Sequence, residues 1–164
     1  MNYLKLSFNL KKITIFVLML FGGIVTAQTL PQPDPITSPP QIVQEHFEQK
    51  FPGVEVVWHL RYRGDYDQQL RYQGKFLMNN KTVLAVYSQI GELMAMAVEI
   101  DPTDIPKKAR KYMENNYPYN PIVQSAKITQ VDKGVTYELG MYLDNSYVIV
   151  IFDKKGNFIQ LSKG

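Results

Sequence analysis

The chain is predicted to adopt an α+β fold: a tandem duplication of a helix plus a four-stranded antiparallel unit, with the helices packed on one sheet face. Three observations predict it. Pro40, Phe51 and Pro52 recur as Pro106, Tyr117 and Pro118, each 66 residues on, with Val43 and Phe47 recurring as Ala109 and Met113. Tyr87 and Gly91 recur as Phe152 and Gly156 at an offset of 65, a one-residue slip that a change in hairpin length produces. Within each copy the apolar spacing switches from helical to alternating, the change that separates an amphipathic helix from a half-buried strand.

The segments ahead of the repeats are read as export machinery. Lys5, Lys11 and Lys12 precede an uncharged run from Ile13 to Val25, and Val25-Thr26-Ala27 ends it with small residues. That order marks residues 1–27 as a signal peptide, with the mature protein starting near Gln28 and lying in the periplasm or outside the cell. The run is short and broken by Gly22-Gly23, so no stable membrane insertion is expected after cleavage. Residues 28–37 hold Pro31, Pro33 and Pro35 and read as an extended proline-rich linker. The remainder, 38–164, is expected to be one domain made of repeats 38–100 and 104–162.

Each repeat opens with a helix. Ser38 is the expected cap of the first, with Pro39 and Pro40 in its first turn and a stripe of Ile42, Val43, Phe47 and Phe51. Asp104 is the expected cap of the second, whose stripe is Ile105, Ala109, Tyr112, Met113 and Tyr117. Alternation then marks strands over 54–63, 70–78, 82–88 and 92–100, and again over 122–131, 135–143, 146–152 and 158–161. Asn79-Asn80 and Asp144-Asn145 are expected tight turns. Tyr62, Tyr72, Tyr87, Tyr137 and Tyr147 are expected to point into the core.

The combination resembles the PepSY-like, beta-lactamase-inhibitor-protein-like domains of secreted bacterial proteins. It is carried by the helices ending in Phe51-Pro52 and Tyr117-Pro118, by Val56-Val57-Trp58, and by the turns Tyr87 to Gly91 and Phe152 to Gly156. It covers about residues 38–162. The resemblance implies binding and inhibition of other proteins through the open sheet face. Gln124 is expected at the position that Trp58 holds in the first copy, a departure from the pattern.

Composition narrows the function classes. The precursor has 18 basic and 15 acidic residues, and three of the basic ones are in the leader, leaving the mature chain balanced at 15 against 15. A neutral domain has no electrostatic footprint for nucleic acid. With no cysteine there is no disulfide, thiolate metal site or thiol nucleophile. His46 is read as a boundary residue of the first helix and His59 as a solvent or interface residue, neither at metal-ligand spacing. Asp65, Asp67, Asp144 and Asp153 are read as turn residues. The Lys107 to Lys111 cluster is read as a solvated helix face. No nucleophile elbow, phosphate loop or zinc-protease helix occurs. No cofactor and no metal are expected.

What remains is a surface. The face opposite the core is expected to offer His59, Arg61, Arg63, Arg71, Gln73, Lys75, Lys127, Thr129, Glu138 and Tyr142. Trp58, His59, Arg61, Arg63, Arg71, Lys75 and Tyr142 are the candidate protein-binding residues, since aromatic and arginine side chains dominate interfaces. The expected function is an exported, non-catalytic, inhibitor-like module acting on another envelope or secreted protein. A small-ligand or metal-sensing periplasmic module is the alternative, and an enzyme of unrecognised type ranks third.

Overall fold

The computed structural model describes residues 35–36, 38–63 and 69–163, the side chains of 61–63 and 69 excepted. The leader, most of the linker and the Asp65 and Asp67 loop lie outside the described residues.

Among the described residues two segments are α-helical, α1 (Gln41–Lys50) and α2 (Lys107–Asn116). Each starts directly after a proline, Pro40 or Pro106, whose own backbone is still extended. The Pro40 carbonyl accepts the amides of Val43 and Gln44, and the Pro106 carbonyl accepts that of Arg110. Proline suits this place because its φ is already helical and it has no N–H to leave unpaired. Ser38 and Asp104 do not cap: neither helix start has a side-chain cap, and Asp104 lies in a short 3₁₀ turn, Pro102–Asp104. Phe51 N–H donates to Phe47 and Tyr117 N–H to Met113 as the helices end.

The strands are β1 (Pro35–Ile36), β2 (Val56–Arg63), β3 (Gln69–Met78), β4 (Lys81–Tyr87), β5 (Leu93–Glu99), β6 (Gln124–Gln130), β7 (Gly134–Leu143), β8 (Ser146–Asp153) and β9 (Phe158–Lys163). They form one antiparallel sheet in chain order. The β3–β4 and β7–β8 turns use Asn79-Asn80 and Asp144-Asn145, all four at positive φ, as two-residue hairpins require.

This corrects the expected architecture. The fold is not a balanced α+β tandem of helix-plus-four-strand units. Among the described residues it is a single nine-stranded antiparallel sheet carrying two ten-residue α-helices. Two features override the unit-by-unit reading. The strand after α2 pairs with the strand before it, from Ala95 opposite Gln130 to Glu99 opposite Ala126, so the ladder never breaks. The linker also contributes a strand: Pro35 and Ile36 pair with His59 and Trp58. Proline is tolerated there because β1 is an edge strand.

Both helices lie on one face. Val43, Phe47 and Phe51 pack with Trp58, Tyr72, Phe76, Val83, Ala85 and Tyr87. Ala109 and Met113 pack with Ile105, Leu139, Met141, Val148, Val150 and Phe152. A third apolar cluster has the opposite phase: Leu84, Val86, Ala95, Ala97, Ala126 and Ile128, from β4 to β6, face away from the helices and are buried. Among the described residues no helix is long and apolar enough to cross a membrane.

Candidate functional site

Strand alternation and register assign the described candidates to a face. His59 stands opposite Gln73 and Val57 opposite Lys75 on the helix-free side, and Arg71, in register with Arg61, lies there too. His59 and Gln73 are buried there, while Arg71 and Lys75 are partly exposed. All four make contacts within the protein. The side chains of Arg61 and Arg63 lie outside the described residues. Four strand steps away, about 19 Å at sheet spacing, β7 and β8 place Glu138, Tyr142 and Tyr147 on the same side. Between these groups lies the apolar strip of β4 to β6.

Trp58 is not part of this surface. It points under α1 at 7% exposure, with ring centroids 5.3 Å from Phe47 and 6.1 Å from Tyr87. Gln124 does not take its position either. Gln124 pairs with Gly140 on the helix-free side, and it is Ser125, opposite Leu139, that turns toward α2. By the same one-residue slip Lys127 and Thr129 leave the helix-free face: Lys127 pairs with Tyr137 and Val98, which belong to the helix-side packing. Tyr147, expected in the core, faces away from it, since its neighbours Val148, Val150 and Phe152 fill the core positions of β8.

The β7–β8 end is a polar cluster with an unusual acid. Glu138 is only 7% exposed. Its direct cross-strand neighbours are Ala126 and Ile151. Burial among such side chains pushes its carboxyl up to about 8. The Tyr147 hydroxyl donates to Gln124 Oε1 at 2.5 Å. Its ring reaches there by crossing Gly140, where a β-carbon would collide with the hydroxyl. Burial, then Tyr142 and Glu138, raise the Tyr147 phenol to about 12. Tyr142 is 46% exposed and sits edge-on to Tyr147, centroids 5.6 Å apart.

A second feature lies at the end of α1. A shallow depression of about 420 Å³ is lined by His46, Gln49, Lys50, Tyr87, Gly91, Glu92 and Leu93. His46 Nδ1 and the Gly91 carbonyl are 2.7 Å apart. Gly91 has φ +81°, and any β-carbon there would meet His46 and the Ile42 carbonyl. The Tyr87 hydroxyl is buried without a hydrogen-bond partner among the described residues, and burial raises it to about 12. An unmet buried hydroxyl costs about 1–3 kcal/mol. Tyr87→Phe is therefore expected to be roughly 1–2 kcal/mol more stable in urea unfolding; a loss of stability would mean the hydroxyl has a partner in solution.

The turn acids serve the fold. Asp153 accepts the amides of Lys155 and Asn157 and the Asn157 side chain, and these bonds, the Asn157 side chain first, hold its carboxyl below the usual range. Lys108 of α2 ties in by donating to Asn157 Oδ1. No cluster of three His, Cys, Asp or Glu able to hold a metal occurs among the described residues.

No protein-family model and no curated protein sequence matches the chain. Solved structures do. A DUF2874 family protein from Bacteroides uniformis superposes with a TM-score of 0.65 at 14% identity, covering 77% of this chain and 90% of that one. A BLIP-like protein from Bacteroides fragilis superposes with a TM-score of 0.61 at 11% identity, covering 78% and 88%. The fold is BLIP-like. A periplasmic protein from Bacteroides eggerthii shares it, with a TM-score of 0.63 at 12% identity over 77% and 89%. At these identities the BLIP-like likeness concerns the fold alone, and no family model carries the PepSY part of the resemblance.

Proposed function

We propose that the chain is an exported, non-catalytic protein-binding module that docks another envelope or secreted protein on its helix-free face, in the manner of an inhibitor. The observation that carries this is the layout of that face. A buried apolar strip on β4 to β6 runs between His59, Arg71 and Lys75 on one side and Glu138, Tyr142 and Tyr147 on the other. Neither helix covers it. A BLIP-like fold and a periplasmic neighbour support the same reading and a periplasmic location.

Crosslinking capture from an envelope extract with mature protein tests it. The charge reversals Arg71→Glu and Lys75→Glu together are expected to lose the captured partner at least tenfold. Lys107→Glu and Lys111→Glu, on α2, are expected to keep it. Equal capture by both pairs would remove the helix-free face as the binding surface. The alternative, a small-ligand module, draws on the depression at Tyr87; ligand-dependent thermal shifts lost in Tyr87→Phe would favour it.

A further inference from the structure

We infer that Glu138, Tyr142, Tyr147 and Gln124 form a receptor for one arginine side chain of the docked protein. This rests on the reading that the helix-free face binds a protein, and it adds what that protein must present. Glu138 has nine-tenths of its surface buried, and its side chain makes no hydrogen bond or ion pair among the described residues. Its carboxyl oxygens are not among the fully buried unpartnered atoms, so the acid is largely desolvated, which is costly without a partner, but still opens to the helix-free face. No cation faces it from the elements packed around it. On β6 its neighbours are Gln124, Ala126 and Ile128, and on β8 they are Tyr147, Ile149 and Ile151. Along β7 they are Thr136, Gly140 and Tyr142. The titratable groups nearby on that face are the two tyrosines, Asp153, which is engaged in its own turn, and Glu99, two strands away beyond Ala126, which accepts the Thr82 amide. The cations of α2 lie on the other side of the sheet.

The surroundings suit a planar cation. Tyr147 lies across Gly140 with its proton committed to Gln124, so its oxygen is left as an acceptor. Tyr142 presents an exposed ring beside it. An acid, a phenol oxygen, an amide and an aromatic ring make an electron-rich set, which repels anions. One carboxylate is too few for a divalent ion. A guanidinium pairs in bidentate fashion with a carboxylate and stacks on an aromatic ring. Because the free carboxyl holds its proton near neutrality, arginine binding releases that proton and tightens as pH rises toward about 8.

The probe is N-acetyl-arginine amide, with N-acetyl-citrulline amide as its neutral match, added to mature protein carrying ¹³C-labelled glutamate. Arginine is expected to lower the Glu138 titration midpoint by about one unit or more and to move the Tyr142 ring resonances. Citrulline is expected to do neither. Glu138→Gln, a near-isostere, is expected to weaken the Tyr142 response at least tenfold, and the exposed variant Tyr142→Ser to weaken the Glu138 response. No response to tens of millimolar arginine, or an equal response to citrulline, overturns the receptor. If a captured partner binds wild type and Glu138→Gln alike, the docking face stands and the arginine receptor falls. If arginine is bound but charge reversal at Arg71 and Lys75 leaves capture unchanged, the receptor stands and the wider face does not.

Discussion

At pH 8, Glu138→Gln is expected to be about 2–4 kcal/mol more stable than the wild type. The sign follows from burial. The Glu138 carboxyl titrates at about 8 in the folded chain and near the ordinary 4.5 when unfolded. Between those values the unfolded chain releases a proton that the folded chain keeps, so wild-type stability falls as pH rises. The contribution is whole below 4.5 and gone above about 8. Glutamine does not titrate, so the variant's profile is flat across that window. Urea unfolding at pH 5, 6.5 and 8 checks it: the two proteins converge at pH 5 and separate at pH 8. Asp153, held low by Asn157, acts in the opposite sense and only at lower pH, so it does not confuse the comparison. Parallel profiles would mean that Glu138 is solvated or paired.

Trp58→Ala is expected to cost about 3–5 kcal/mol, the usual loss for a large aromatic removed from a core. Trp58 fills the space between Phe47 and Tyr87 beneath α1. Its loss leaves a cavity that the ladder on either side holds open. Tyr142→Ala, on an exposed ring, is expected to change stability by less than about 0.5 kcal/mol. The pair separates a core aromatic from a docking one. If Trp58→Ala does not fold, Trp58→Phe is expected to lose a smaller part of the same energy. A Trp58→Ala protein as stable as wild type would return Trp58 to the surface.

How far the chain could be read depended on which way the apolar residues point. In β2 and β3 most of them point toward a helix, as a core reading assumes. There alternation located the strands within about two residues. In β6 the phase is reversed. Ala126 and Ile128 are apolar because the helix-free face has its own buried strip, and Ser125, Lys127 and Thr129 take the helix side. A reading that equates apolar with helix-facing misplaces those side chains, because a one-residue slip exchanges faces. The sign available in advance was the run of small residues, Ala95, Ala97 and Ala126, which suits a tightly packed strip rather than a helix contact. Tyr147 was obscured for a similar reason: opposite a glycine, an aromatic ring can lie flat over the sheet instead of entering the core. That the sheet would be continuous could not be read locally. It depends on β5 meeting β6 across the whole of α2, a long-range pairing with no signature of its own. The cost of Glu138 was likewise invisible, since an acid among alternating residues reads as solvent-facing until its neighbours prove to be alanine and isoleucine.

The claim that the helix-free face binds a protein is tested most directly by site-resolved photo-crosslinking in envelope extract. A photoreactive residue is placed at Leu77 or Tyr142 on that face, and at Ile42 or Lys111, on the two helices, away from it, all four positions being exposed. One adduct of constant mass from Leu77 and Tyr142, absent from Ile42 and Lys111, is the predicted result. The same adduct from Ile42 or Lys111, with none from Leu77 and Tyr142, would contradict it.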